Sequence, residues 1–171
     1  MDNINLKKEI DLVQVVLFMI DEEEYGALIP DLKEVIDMTK IKFIPDLPDF
    51  VLGILNLNGN VVIIIDLEKK FNLSCTNKIL LRHIIVIEIA GNKFGIVVDE
   101  VIEVLNVPIS EVKPLLSILS SKIRSHYLNN SVIIEEKKYP LVDLSGMLQQ
   151  KDFLSLLASE IDTVKTCLVG V

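Results

Sequence analysis

The second half of this chain repeats the first. Tyr25-Gly26, Ile29, Glu34, Val35, Ile36 and Pro45 recur 69 positions later as Phe94-Gly95, Val98, Glu103, Val104, Leu105 and Pro114. The segment Ile65-Asp66-Leu67 returns as Val142-Asp143-Leu144 at an offset of 77, so extra residues enter the second copy before that strand. Two copies are too few for a solenoid, whose core comes from stacking many neighbours. The repeat therefore predicts two similar lobes packed into one body, with a seam between them at which partners can dock.

At 171 residues the chain fits one compact domain. Half of it is hydrophobic, yet no apolar run approaches the roughly 20 residues that span a bilayer. That excess divides between two readings, a bulky Ile-rich core and an apolar interaction patch on the surface. The formal net charge is −8, from 25 acidic and 17 basic residues. A field that attracts phosphate backbones is missing, which argues against nucleic acid as a partner. Met1 to Asn5 lacks the basic start and apolar stretch of a secretory signal. Two isolated cysteines, Cys75 and Cys167, suit a reduced compartment, so the expected location is cytoplasmic.

From Val13 to Val142 the chain reads as short Ile- and Val-rich strands separated by turn signals, the habit of small antiparallel barrels. One hairpin runs from Val15 to Ile20, turns over Asp21 to Glu24 and returns through Tyr25 to Ile29. Its later counterpart is Ile84 to Ile89, a turn at Gly91-Asn92, then Phe94 to Val98. A third is signalled by Asn58-Gly59, because both residues tolerate positive φ. The run Val61 to Ile65 that follows reads as a strand buried on both faces, such as one trapped between lobes. After Asp143 the spacing of Leu154, Leu157, Ile161, Val164 and Leu168 changes to a helical stripe. That stripe packs either on the protein's own barrel or on another chain. The organisation is thus one domain over 1–171, with lobes at about 15–80 and 81–148, room for strands to exchange between them, and a C-terminal helix over 149–171.

Catalytic constellations are absent from the sequence: there is no glycine-rich phosphate loop, nucleophile elbow or zinc-protease helix. His83 and His126 lack ligand spacing to each other or to cysteine, so neither a metal nor a cofactor is expected. Asp66, Asp99 and Asp143 each follow an apolar strand, where a short carboxylate bonds local backbone N–H groups in a turn or helix cap. A small acid/base hydrolase using these three aspartates is the remote chemical alternative. Gly26 and Gly95, each just after an aromatic, read as points where a bend or a close backbone approach is needed.

Three stretches taken together resemble the CheW family, the scaffold proteins that couple bacterial chemoreceptors to their histidine kinase. They are Glu24-Tyr25-Gly26 through Glu34-Val35, then Pro48 through Asn58-Gly59 into Ile65-Asp66-Leu67, and Phe94-Gly95 through Val101 to Leu105. The resemblance implies a mainly β fold: two small SH3-like five-stranded antiparallel barrels packed together, followed by a C-terminal amphipathic helix. It implies a non-catalytic adaptor, recruited to membrane-bound receptor arrays, whose partners are the regulatory domain of a CheA-type kinase and the cytoplasmic hairpin tip of a chemoreceptor.

The resemblance also implies a partner-binding set of Leu32, Glu34, Val35, Gly53, Asn58, Gly59, Gly95, Val101 and Val104. Two departures bear on partner choice. Asn58 stands where the family usually carries arginine, replacing a cationic fork with a short neutral amide. Glu68 stands where a basic residue is common. A specialised paralogue with weakened or altered kinase coupling is therefore an alternative within the same class.

Overall fold

A computed structural model describes residues 10–29, 32–71, 73, 82–115 and 127–148. The expected C-terminal helix, His126 and both cysteines lie outside the described residues. Eleven strands, two short α-helices and one 3-10 turn (Ile109–Glu111) are described. The strands and α-helices are β1 (Leu12–Ile20), β2 (Glu23–Leu28), β3 (Leu32–Asp37), β4 (Val51–Leu57), β5 (Asn60–Asp66), α1 (Leu67–Lys70), β6 (His83–Ile89), β7 (Asn92–Val98), β8 (Glu100–Pro108), β9 (Val112–Pro114), β10 (Asn130–Ile134), β11 (Lys137–Leu141) and α2 (Leu144–Leu148).

The strands form two sheets. The first has the order β8-β1-β2-β11-β10-β9, the second β3-β6-β7-β5-β4. An offset of 69 turns β1, β2 and β3 into β6, β7 and β8; one of 77 turns β4, β5 and α1 into β10, β11 and α2. Under this substitution the two strand orders are the same. Even β9 has a counterpart, the single antiparallel bridge Lys42↔Ile54 beside β4. Neither sheet, however, comes from one contiguous half. The β1–β2 hairpin of the first copy completes the second copy's sheet, and the β6–β7 hairpin of the second copy completes the first's.

Each exchanged hairpin joins its host through a parallel pairing within an otherwise antiparallel sheet. These are β2 with β11, at Gly26↔Leu141, and β7 with β5, from Lys93↔Val62 to Val97↔Asp66. At both junctions a glycine faces the large residue across the pair. A Cβ on Gly95 would lie 2.6 Å from Ile64 Cδ1, and one on Gly26 2.9 Å from Leu141 Cδ2. The two glycines therefore sit in mid-strand and admit a neighbouring side chain; they mark no bend, because the hairpin turns lie three or more residues earlier.

All four hairpins close through two residues at positive φ: Asp21-Glu22, Asn58-Gly59, Ala90-Gly91 and Glu135-Glu136. This mirror-image turn matches the right-handed twist of the flanking strands. Only Asn58-Gly59 advertises it in sequence. The first turn was expected over Asp21 to Glu24 and the second at Gly91-Asn92, but Ile20 pairs with Glu23 and Ile89 with Asn92, so both loops are one tight step. Strand pairing overrides the preference of Asp, Glu and Ala for negative φ, at a cost of about 1 kcal/mol or more per residue.

Alternation along the strands divides the interior into three cores. Val15 and Leu17 point into the first sheet's own core with Val132 and Leu141, while Val62, Ile64, Ile84, Val86 and Val97 fill the second's. The opposite faces meet in the largest core, where Val16, Phe18, Ile20 and Tyr25 from one sheet pack on Ile63, Ile65, Ile85, Ile87, Phe94 and Ile96 from the other. β5 is buried on both faces, from Val62 to Asp66. The apolar excess in the composition is spent mainly here, in a three-core stack that needs two apolar faces per central strand.

Candidate partner-binding surface

β3 and β8 are the edge strands of their respective sheets and hold equivalent positions in the repeat. In β3, Leu32 is half-buried against the shared core while Lys33, Glu34 and Val35 are exposed. In β8, Val101 packs against the same core while Ile102, Glu103 and Val104 are exposed. Each edge carries a bulge at the matching residue: the pairing of β3 with β6 skips Lys33, and that of β8 with β1 skips Ile102. A bulge leaves one residue unpaired and twists the edge, which discourages indiscriminate strand addition. Val35 and Val104 stand 39% and 37% exposed, so each edge presents a carboxylate beside an uncovered branched side chain. Lys33 Nζ reaches Glu88 across β3 and β6 at 3.4 Å.

Asn58 and Gly59 occupy the exposed β4–β5 turn, where Asn56 Oδ1 accepts a hydrogen bond from the Gly59 N–H at 3.1 Å. β4 is the edge opposite β3 in the second sheet. The residues proposed for partner binding thus fall on the β3 edge, the β8 edge and this turn. Gly53 and Gly95 are buried and shape the backbone instead. Gly53 has φ +144°, and a Cβ there would lie 2.1 Å from the Lys42 carbonyl oxygen, so only glycine fits under the strand-like segment crossing β4.

A charged cluster lies at the end of β5. Asp66 caps α1, its Oδ1 accepting from the Glu68 N–H at 3.0 Å, as its place after an apolar strand implied. The same carboxylate takes a two-pronged contact from Arg82 just before β6: Nη1 to Oδ2 and Nη2 to Oδ1, both 3.0 Å. Arg82 Nε lies 3.3 Å from Asp99 Oδ1, and Nη2 lies 3.9 Å from Glu68 Oε2. Asp99 is no local cap. Its Oδ2 accepts from the N–H of Asp21 in the β1–β2 turn, 2.7 Å away and in the other sheet. Burial opposes the Arg82 charge, but Asp66, then Glu68 and Asp99, hold the guanidinium protonated above its ordinary value. Burial raises the Glu68 carboxyl to about 7, helped by its contact with Asp99 and the Asp99 and Asp66 charges and opposed by Arg82. Sequence reasoning missed Arg82; the available signal was an arginine immediately before a mainly apolar strand.

Asp143 caps α2, its Oδ1 accepting from the Gly146 N–H at 2.9 Å, and its carboxylate is exposed. Among the described residues it is the sole titratable group lining a cavity of about 710 Å³ among Leu12, Leu28, Asn106, Leu141 and Leu144. The structure brings Asp66 and Asp99 together on Arg82 and leaves Asp143 apart. Among the described residues no acid and base converge on that cavity, as a hydrolase would require.

Comparison with known proteins agrees with the repeat and the two sheets. A family model described as a CheW-like domain matches residues 14–152. The chain is 29% identical over 139 residues to the chemotaxis protein CheW of Klebsiella aerogenes, covering 81% of this chain and 83% of that protein. It is 27% identical over 148 residues to the chemotaxis protein CheW of Treponema pallidum, covering 84% and 86%. The crystal structure of the scaffolding protein TtCheW from Thermoanaerobacter tengcongensis superposes with a TM-score of 0.71 at 30% identity, over 82% of this chain and 95% of that one. The two sheets correspond to the paired SH3-like β units of that architecture. With a reciprocal pair of β sheets, exposed bulged edges and a matching family model over most of its length, this chain belongs to the CheW-like domain family, the non-catalytic scaffold proteins of chemotaxis.

Proposed function

We propose that the chain is an adaptor that holds the regulatory domain of a CheA-type histidine kinase and the hairpin tip of a chemoreceptor at the same time. The observation that carries this reading is the twofold repetition of one edge: Glu34-Val35 on β3 and Glu103-Val104 on β8, presented by different sheets that a common core makes rigid. Two similar but non-identical ledges on one rigid body suit two different partners. The kinase regulatory domain is itself expected to be a relative of this fold, so it meets the adaptor barrel against barrel, while the receptor offers a helical tip. Simultaneous attachment raises the local concentration of kinase at the receptor and lets receptor conformation bias the kinase. The adaptor is cytoplasmic in this reading and reaches the membrane through the receptor.

Pull-downs with the purified kinase regulatory domain and a receptor signalling tip, separately and together, test it. Binding of each alone and a ternary complex of all three are expected; mutually exclusive binding defeats the coupling role.

Asn58 favours a second reading, in which kinase coupling is weakened or redirected. At φ +52° and exposed, it offers a short amide in a left-handed turn where asparagine is at ease. Replacing a charge-assisted contact with it removes about 1.5–3 kcal/mol, one to two orders of magnitude in affinity. Asn58→Arg is expected to tighten kinase binding by that factor in calorimetry, and unchanged affinity excludes this reading.

A further inference from the structure

The cluster around Arg82 has one cation for three carboxylates. Asp66, Glu68 and Arg82 are each more than nine-tenths buried, and Asp99 stands beside them. One guanidinium neutralises one carboxylate, and Asp66 takes its two-pronged contact. From Arg82, Glu68 receives only a long approach, its other neighbour is the Asp99 carboxyl, and among the described residues its Oε1 has no hydrogen-bond partner. A buried carboxylate oxygen that accepts from nothing is costly, and two facing carboxylates cannot both stay ionised. A proton resolves both problems, because it turns an acceptor-only group into a donor and the Asp99 carboxylate is the acceptor beside it.

The cluster also spans the seam. Asp66 and Glu68 belong to the β5–α1 end of the second sheet, and Arg82 enters β6 of that sheet. Asp99 sits where the chain crosses from β7 to β8 in the first sheet. Its backbone N–H donates to the Met19 carbonyl, and its side chain holds the Asp21 N–H. Across the repeat, Glu68 corresponds to Ser145, and Asp143, the counterpart of Asp66, faces solvent. Among the described residues the device occurs once, at one end of the seam.

We propose that Glu68, Asp99 and Arg82 form a proton-dependent latch between the sheets, in which a proton held between the Glu68 and Asp99 carboxyls keeps the β1–β2 turn fastened to the α1 end of the second sheet. The charged groups facing Glu68 among the described residues are Asp66 at the cap of its own helix, Arg82 from the start of β6 and Asp99 from the β7–β8 joint. The sign follows from the raised carboxyl. Folded Glu68 keeps its proton to about 7 whereas the unfolded chain releases it near the ordinary value of 4.5. Its contribution to stability is complete below the lower value and is lost as pH rises to the upper one.

The test is a set of urea unfolding curves between pH 4.5 and 8 for the wild type and Glu68→Gln, an uncharged isostere. Over pH 5 to 7 the wild-type folding constant is expected to lose close to one extra tenfold per pH unit relative to the variant. A parallel pH dependence in the two proteins overturns the proposal. Carboxyl carbon NMR of the wild type decides the matter independently if Glu68→Gln folds poorly. A Glu68 midpoint near neutrality, accompanied by faster exchange of the Asp21 amide above that midpoint than intrinsic base catalysis gives, supports the latch. A Glu68 midpoint in the ordinary carboxylate range, or an Asp21 amide indifferent to it, sinks it.

Discussion

The two ends of the repeat use one local motif to opposite purposes. Asp66 and Asp143 both follow a buried strand and both cap a short helix. Asp66 is buried beneath a guanidinium, whereas Asp143 looks into water. The parallel junctions differ in the same sense: five residue pairs join β5 to β7, but a single pair joins β11 to β2. At the parallel junction the second sheet therefore holds its borrowed hairpin more tightly than the first, whose hold on β1–β2 comes mainly from the eight pairs of β1 with β8. A shared sequence pattern specifies a cap; whether that cap becomes structural cement depends on what the fold lays across it.

That contrast can be broken most violently at Arg82. Arg82→Ala strands buried carboxylates without their cation and is expected to cost about 3–5 kcal/mol in chemical denaturation, while Asp143→Ala loses one exposed cap and costs about 1 kcal/mol. Equal costs would mean that the two capping sites are energetically alike despite their burial. A gentler probe is the junction glycines. Gly95→Ala forces its Cβ against both Ile64 and Ile84, at 2.6 and 2.7 Å, and is expected to cost about 1–3 kcal/mol. Gly26→Ala meets only Leu141 that closely and should cost less; the reverse ranking would contradict the tighter parallel junction of the second sheet. The smallest effect compares hairpin turns. Glu136 holds φ +67° where its counterparts in the β4–β5 and β6–β7 turns are Gly59 and Gly91. Glu136→Gly is expected to raise the urea midpoint, by about 1 kcal/mol in stability, and a loss would show that the Glu136 side chain supplies more than its strain removes.

Much of this was legible in the residues. The 69- and 77-residue offsets place every long strand, because the alternation that buries Ile63 and Ile65 on one side and Val62 and Ile64 on the other is written in the run itself. The Asn58-Gly59 turn and the Asp66 cap follow from local hydrogen bonding and allowed φ, which need no distant partner. The edge residues Leu32, Glu34, Val35, Val101 and Val104 were picked out by likeness to relatives. The exposure of Glu34, Val35 and Val104 comes from the strand order, which makes β3 and β8 edges, while Leu32 and Val101 lean on the shared core. Gly53 and Gly95 were named with them yet are buried, since a glycine's usefulness to a ligand and to a crowded neighbour look the same in one dimension.

The sequence by itself determined the β content, the doubling of one unit and the local turns and caps, because periodicity and short-range bonding act within a few residues. Tertiary structure alone decided which hairpin completes which sheet and that Arg82 meets Asp66, Glu68 and Asp99 across the seam. Those choices rest on contacts between residues far apart in the chain, such as Asp21 with Asp99, 78 positions on, whose energy exists only after both strands are buried against the same core.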